Sequence, residues 1–382
     1  MSLENVQEDV VGERSPAALR VGRSAAAHNE VAHRAGGEDQ QSRNVVAFKF
    51  GGSSLLGADR MLHAAALVRT AAQTSRVVVV VSAMKGVTDH LLSIAHALAD
   101  GKLAHARREA ELLLDAHLDV LDDLHPRKSD APGSVGVTQD SDLRVRRELQ
   151  LLGRDLLHEI PVHSRVAAGA DLFDRLTSFG ERLSARLFAA ALEKSGVPSV
   201  PVTSSEFVLT CETFRDAQPH LDQTKQRGRD ILLPLLEAGI VPVVTGFIGA
   251  TPDGRITTLG RNSSDFSGAI VAHVVDADEL VIWTDVDGIY TANPHESVEA
   301  RLLHELSYDE AHALAASGAK VLHAKVLPLA AETEMVVWVR NTFNPQARGT
   351  RIGSPRSRRD SRAAAKESGP AFSIASHQGG AA

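Results

Sequence analysis

The sequence predicts a three-layer αβα sandwich around a mainly parallel sheet, on three observations. Apolar, β-branched runs without polar alternation, Val45–Phe50 and residues 77–81 foremost, read as strands covered on both faces. These runs alternate with stretches of helical periodicity, the pattern of an α/β domain. A chain of 382 residues with 43% hydrophobic content can bury a sizeable core.

In chain order, Val45–Phe50 is a strand broken by Gly51-Gly52. Ala58–Ala72 is a helix with Leu62, Ala66 and Val68 on one face. Residues 77–81 form the second strand, and Thr88-Asp89 opens the next helix. Residues 91–124 are rich in Leu and Ala and read as helical. Residues 126–141 read as a loop with Pro, Gly and Ser, and 142–158 as helix again. Residues 179–193 form a helix opened by Gly180-Glu181-Arg182 and stopped at Gly196-Val197-Pro198. Another helix ends at Ala238-Gly239, ahead of a strand over 240–244. Pro252-Asp253-Gly254 turns a hairpin. A helix over 264–275, a strand over 280–283, the helix Tyr308–Ala316 and a strand over 335–339 complete the pattern, with no internal repeat.

The totals exclude several classes. A net charge of −7 argues against a nucleic-acid partner. The longest apolar run, 77–81, is strand-sized, so no membrane span is expected. The single cysteine, Cys211, allows no intrachain disulfide, fits a reducing, cytoplasmic setting and reads as a small core hydrophobe. Glu4, Glu8, Asp9 and Glu13 are incompatible with a secretory signal. Residues 1–44 and 353–382 read as disordered extensions around one domain, 45–352. The histidines at 90, 96, 105, 117, 125, 158 and 163 are scattered, and no pair combines metal-ligand spacing with a carboxylate partner.

Three polar islands, each after an apolar run, carry the chemistry: 49–54, 258–265 and 283–290. Ligands of open α/β sheets bind at such strand ends. Lys49 interrupts an apolar strand, and burying it alone is expensive, so its ammonium must reach a cleft or a partner. Gly51 and Gly52 allow a phosphate to approach backbone amides, with Ser53 and Ser54 as further donors. Ser82 and Thr88 follow the second strand; either could bond a small acceptor, and Thr88 could instead be only a helix cap. Glu181 could favour a helix N-terminus or pair with a substrate ammonium. Arg261 can grip a carboxylate in bidentate fashion, the helix opening at Ser264 suits an anion, and Asp265 can hold Lys49 or Mg²⁺. Thr284, Asp285 and Tyr290 could touch a nucleotide, whereas Asp287 reads as a turn residue. Lys320 is a candidate phosphate ligand, and His323 reads as a buried, hydrogen-bonded histidine. The inventory suits phosphoryl transfer to a small anionic acceptor. A carboxylate acceptor is already ionised at neutral pH and needs no general base.

Read in order, KFGGSS, VVVVVSAMKGVTD, FGERLSARL, GFIGATPDGRITTLGR, SD at 264–265, VIWTDVDGIYTANP, LSYDEAHALAASGAKVLHAK, NTFNP and GTRI resemble the amino-acid kinase fold and, within it, the aspartokinases. The resemblance spans 45–352. It implies ATP- and Mg²⁺-dependent phosphorylation of the L-aspartate side-chain carboxylate, the entry to lysine, threonine, methionine and diaminopimelate synthesis. It implies Lys49 and Asp265 at the transferred phosphoryl, and Ser82, Thr88, Glu181, Arg261 and Ser264 at aspartate. It puts Lys49, Phe50, Gly51, Gly52, Thr284, Asp285, Tyr290 and Lys320 at ATP. The chain departs from the family pattern at Asn262-Ser263, at Asn293-Pro294-His295 and at Ala324. Only about 30 residues follow Ile352, fewer than a regulatory ACT domain needs. The expectation is therefore a kinase without built-in feedback control, as a homodimer or with a regulatory subunit. The departures leave open another carboxylate acceptor or a non-catalytic binding role.

Overall fold

The computed structural model describes residues 44–125, 138–160, 169–292, 297–316 and 322–354. Eight strands form the central sheet. From edge to edge they are β10 (Glu305–Leu306), β12 (Thr350–Ile352), β11 (Val336–Asn341), β7 (Glu279–Thr284), β1 (Val45–Phe50), β2 (Arg76–Val81), β4 (Val241–Thr245) and β3 (Ser199–Val202). Neighbours are parallel except β11 against β12. Two antiparallel ribbons stand apart, β5 (Ile248–Ala250) with β6 (Ile256–Thr258), and β8 (Ile289–Tyr290) with β9 (Leu302–Leu303).

Strand alternation divides the core in two. Phe48, Phe50, Val77, Val79, Val81, Val281 and Trp283 face one helical layer. That layer holds α1 (Ala58–Ala72), α2 (Val87–Ala99), α3 (Leu103–Leu124), α4 (Thr138–His158) and α5 (Leu172–Lys194). Ala47, Val78, Val80, Leu280 and Ile282 face the other, built from α6 (Leu221–Glu237), α7 (Ser264–Val274), α8 (Tyr308–Ala316) and α9 (Val326–Glu332). The three-layer sandwich expected from the sequence is the one observed. Trp283 stacks on Phe50 at 6.2 Å and meets Phe48 edge-on at 5.7 Å, locking β7 to β1. Among the described residues no helix is long and apolar enough to cross a membrane.

Several expectations need correction. The helical stretch over 91–124 is interrupted at Gly101, whose φ of 77° separates α2 from α3. α4 begins at Thr138, inside the expected loop. Glu181 does not open a helix: α5 starts at Leu172 and carries Glu181 in its interior. Gly180 is tolerated there because a Cβ would meet the Ala83 Cβ at 2.8 Å, so glycine permits the close approach of α5 to the loop after β2. Cys211 is half-buried in a loop, not in the core, and its Sγ accepts a hydrogen bond from the Gln218 amide at 3.2 Å.

Candidate active site

A cavity of about 590 Å³ opens at the carboxyl ends of β1, β2 and β7. Lys49, Gly52, Ser82, Thr88, Glu181, Arg261, Ser264, Asp265 and Asp285 all line it. Stretches more than 200 residues apart in sequence thus converge on one space.

Lys49 takes the α7 side of β1, because its neighbours Phe48 and Phe50 occupy the opposite layer. Its Nζ lies 2.7 Å from Asp265 Oδ1, and both side chains are largely buried. Asp265 sits in the first turn of α7, where a negative charge is favoured. One turn further on is Gly268. A Cβ there would stand 3.2 Å from the Lys49 Cβ and 3.3 Å from Leu280 Cδ1, so this glycine leaves room for the lysine stem. Sequence reading missed Gly268; its signal was a glycine three residues after Asp265 in an otherwise apolar helix.

The paired glycines also carry structural roles. The Gly51 amide is bonded to the Trp283 carbonyl at 3.2 Å and continues the sheet ladder. Gly52 is required by contact: a Cβ would fall 2.6 Å from the Ala83 carbonyl oxygen, where the loops after β1 and β2 touch. Its carbonyl accepts the Lys85 amide at 3.1 Å. Thr88 is not the cap of α2. Gly86 occupies that position with φ 89°, and the Thr88 side chain is left for the cavity.

Glu181 is 2% exposed. Its Oε1 accepts the Ala83 amide at 3.1 Å, and its Oε2 has no hydrogen-bond partner among the described residues. Burial pushes its carboxyl up to about 8, against the amide bond and the nearby Lys49, which pull the other way. A buried carboxyl with one free oxygen on a polar cavity is equipped to receive a cation.

Arg261 and Asp89 form an exposed pair at 3.1 Å. Arg261 precedes Asn262, whose φ of 60° is a left-handed conformation that asparagine tolerates, and Ser263 stands at the start of α7 without a side-chain capping bond. Asp174, unnoticed in the sequence, is buried and ties three segments together. It accepts the Thr258 amide at 2.8 Å, the Thr258 hydroxyl at 3.1 Å and the Arg215 amide at 2.9 Å.

Four of the expected nucleotide residues do not line this cavity. The Phe50 side chain is locked in the aromatic core, leaving only its backbone near the site; its carbonyl accepts the Ser82 amide at 3.1 Å. Gly51 lies beside Lys49 on the sheet ladder. Thr284 ends β7, and its hydroxyl donates to Asp285 at 3.3 Å. Tyr290 lies on the β8–β9 ribbon. Lys320 and the run Asn293-Pro294-His295 lie outside the described residues. Asp287 is more than a turn residue: its Oδ1 accepts from Asn341 at 2.7 Å and Asn344 at 3.1 Å, clasping the loops after β7 and β11. His323 is half-buried, stacks near Phe266 at 6.1 Å, and its Nδ1 accepts the Lys325 amide at 3.3 Å.

A buried lysine, a helix N-terminus, a free carboxylate oxygen and an arginine around one space are suited to binding anions beside an ammonium. The family model for the amino acid kinase family matches residues 44–341, and the chain belongs to that family. The chain is 32% identical over 312 residues to lysine-sensitive aspartokinase 3 of Escherichia coli, covering 81% of this chain and 64% of that protein. It is 32% identical to chloroplastic aspartokinase 1 of Arabidopsis thaliana, covering 81% of this chain and 52% of the relative. The fold matches E. coli aspartokinase III in complex with aspartate and ADP at a TM-score of 0.68 and 30% identity, over 82% of this chain and 65% of that one. The same enzyme with lysine and aspartate matches at 0.70, over 82% and 66%. The chain therefore spans roughly half to two thirds of the length of these relatives.

Packing at Gly268 generates one prediction. Gly268→Val should cost about 1–3 kcal/mol by overpacking against the Lys49 stem and Leu280, measured from the urea midpoint. An unchanged midpoint would show that the stem has slack.

Proposed function

We propose that this chain, through a catalytic unit spanning 45–352, transfers the γ-phosphoryl group of ATP to the side-chain carboxylate of L-aspartate. The products are 4-phospho-L-aspartate and ADP. The observation that carries the reading is buried Glu181, which lines the same cavity as Lys49 and Arg261 and has one carboxyl oxygen without a hydrogen-bond partner among the described residues. An acceptor that satisfies all three carries an ammonium and two carboxylates. Relatives named aspartokinases, one solved with aspartate and ADP, support the same acceptor.

In this reading the ammonium of the acceptor meets Glu181, and its α-carboxylate draws Arg261 away from Asp89. Ser82, Thr88 and Ser264 supply hydroxyls around it. The reacting carboxylate is already an anion, so an oxygen attacks the γ-phosphorus while the bond to the ADP oxygen breaks. The obstacle is repulsion between two anions. Lys49, fixed by Asp265, offsets the charge of the phosphoryl group in flight. Gly52, Asp285 and the neighbouring Thr284 and Tyr290 border the nucleotide. Mg²⁺ usually takes one or two carboxylates with phosphate oxygens and water. Asp285 and Asp265 fit that habit, and the ion would neutralise the phosphate tail.

Incubation with ATP, Mg²⁺, L-aspartate and hydroxylamine should yield aspartyl hydroxamate, dependent on each component. No hydroxamate under any condition would remove the kinase reading. A much higher kcat/KM for another amino acid would reassign the acceptor.

The raised carboxyl of Glu181 sets a pH dependence. With its pKa near 8, Glu181 is protonated below that value in the empty site, and an ammonium must displace the proton. Affinity for L-aspartate should therefore weaken as pH falls from about 8, raising KM for aspartate with KM for ATP steady. Calorimetry at pH 7 in buffers of different ionisation enthalpy should show about one proton released per aspartate bound, and none for Glu181→Gln. Binding without proton release would contradict this assignment.

A further inference from the structure

The cavity extends beyond Glu181. Asp174, Thr177 and Glu181 fall along one side of α5 and all line it. At 1.5 Å per residue, Asp174 lies about 10 Å from Glu181 along the helix axis. Arg215 lines this far end.

Its backbone has φ 71°, a left-handed conformation unfavourable for arginine. Such strain persists where the surroundings enforce it, and it concentrates at functional sites. Here the enforcement is visible. The Arg215 amide donates to Asp174 Oδ2 at 2.9 Å, and the same buried carboxylate is anchored by Thr258. The next residue, Asp216, pairs with Lys325 at 2.8 Å. The guanidinium lies 4.9 Å from the centroid of the Phe173 ring. Lys49 is paired with Asp265 and Arg261 with Asp89, whereas the Arg215 guanidinium has no carboxylate within salt-bridge distance among the described residues and acts on Asp174 only at longer range.

Sheet order decides which substrate it serves. β7 and β11 lie on one side of β1, and β2 and β4 on the other. The proposed nucleotide residues Thr284 and Asp285 follow β7. Arg215 is bound through Asp174 to α5 and β6, in the half of the site that holds Ser82 and Glu181. We infer that Arg215 is a second guanidinium at the acceptor end of the cavity. It grips the non-reacting carboxylate together with Arg261 and makes the site selective for an acceptor with two carboxylates. This inference rests on the kinase reading above and adds a specificity residue to it.

The test uses Arg215→Gly, because glycine accepts this backbone conformation and leaves the loop intact. Wild type and variant are compared in the hydroxamate assay on L-aspartate and on L-aspartic acid α-amide, which has one carboxylate. The variant should raise KM for L-aspartate by about tenfold or more, leave KM for ATP unchanged, and shrink the preference over the α-amide by a similar factor. An unchanged KM for L-aspartate, a rise confined to ATP, or an equal loss on both acceptors would overturn the assignment. An active wild type with an indifferent variant removes Arg215 alone; an inactive wild type removes the kinase reading and this inference with it.

Discussion

A lysine in the interior of an apolar strand is the constraint on which the rest of the site depends. The twofold alternation of β1 sends Phe48 and Phe50 into one helical layer and leaves Lys49 facing the other. An unpaired ammonium there would be costly. The fold answers with Asp265, set 2.7 Å away by the first turn of α7, and with Gly268, which makes room for the stem. The cation is therefore held before any substrate arrives. Two unit charges 4 Å apart interact by about 1 kcal/mol in water but about 4 kcal/mol at an effective dielectric constant of 20. A cation fixed in this partly dry site thus counts for more against an anion than one in solvent.

The topology explains where the cavity lies. β1 is flanked by β2 on one side and β7 on the other. From β1 the chain builds β2, β3 and β4 on one flank and then crosses to β7 on the other, and this switch in strand order opens a crevice at the carboxyl ends of the strands. In the proposed reading, loops after β2, together with α5 and β6, form the acceptor half. Loops after β7 and β11, clasped through Asp287, form the other half, proposed for the nucleotide. Lys49 stands at the junction because β1 does.

Much of this was legible in the sequence. Ala58–Ala72 and Tyr308–Ala316 appear with the expected bounds, since each shows a clean helical pattern. The three islands stood out because polar residues cluster at strand ends, and Lys49, Arg261, Asp265 and Glu181 do meet. Other features were illegible for physical reasons. Gly180 looks like a helix boundary by propensity, but close packing on Ala83 overrides that preference. Gly52 looks like a phosphate-binding glycine, yet its most direct constraint is the Ala83 carbonyl. β8, β9, β10 and β12 are too short for any periodicity. Asp174 and Arg215 meet only in three dimensions, and nothing in an arginine's identity announces a left-handed backbone.

The central claim is that a pre-positioned Lys49 stabilises the phosphoryl group in transfer. Steady-state kinetics of Lys49→Met, with folding checked by circular dichroism, test it most directly. Loss of a fixed transition-state cation should lower kcat by about a hundredfold or more, with KM for ATP and L-aspartate changed only a few fold. A folded variant that kept its kcat and lost only ATP affinity would reduce Lys49 to a nucleotide-binding residue and contradict the account.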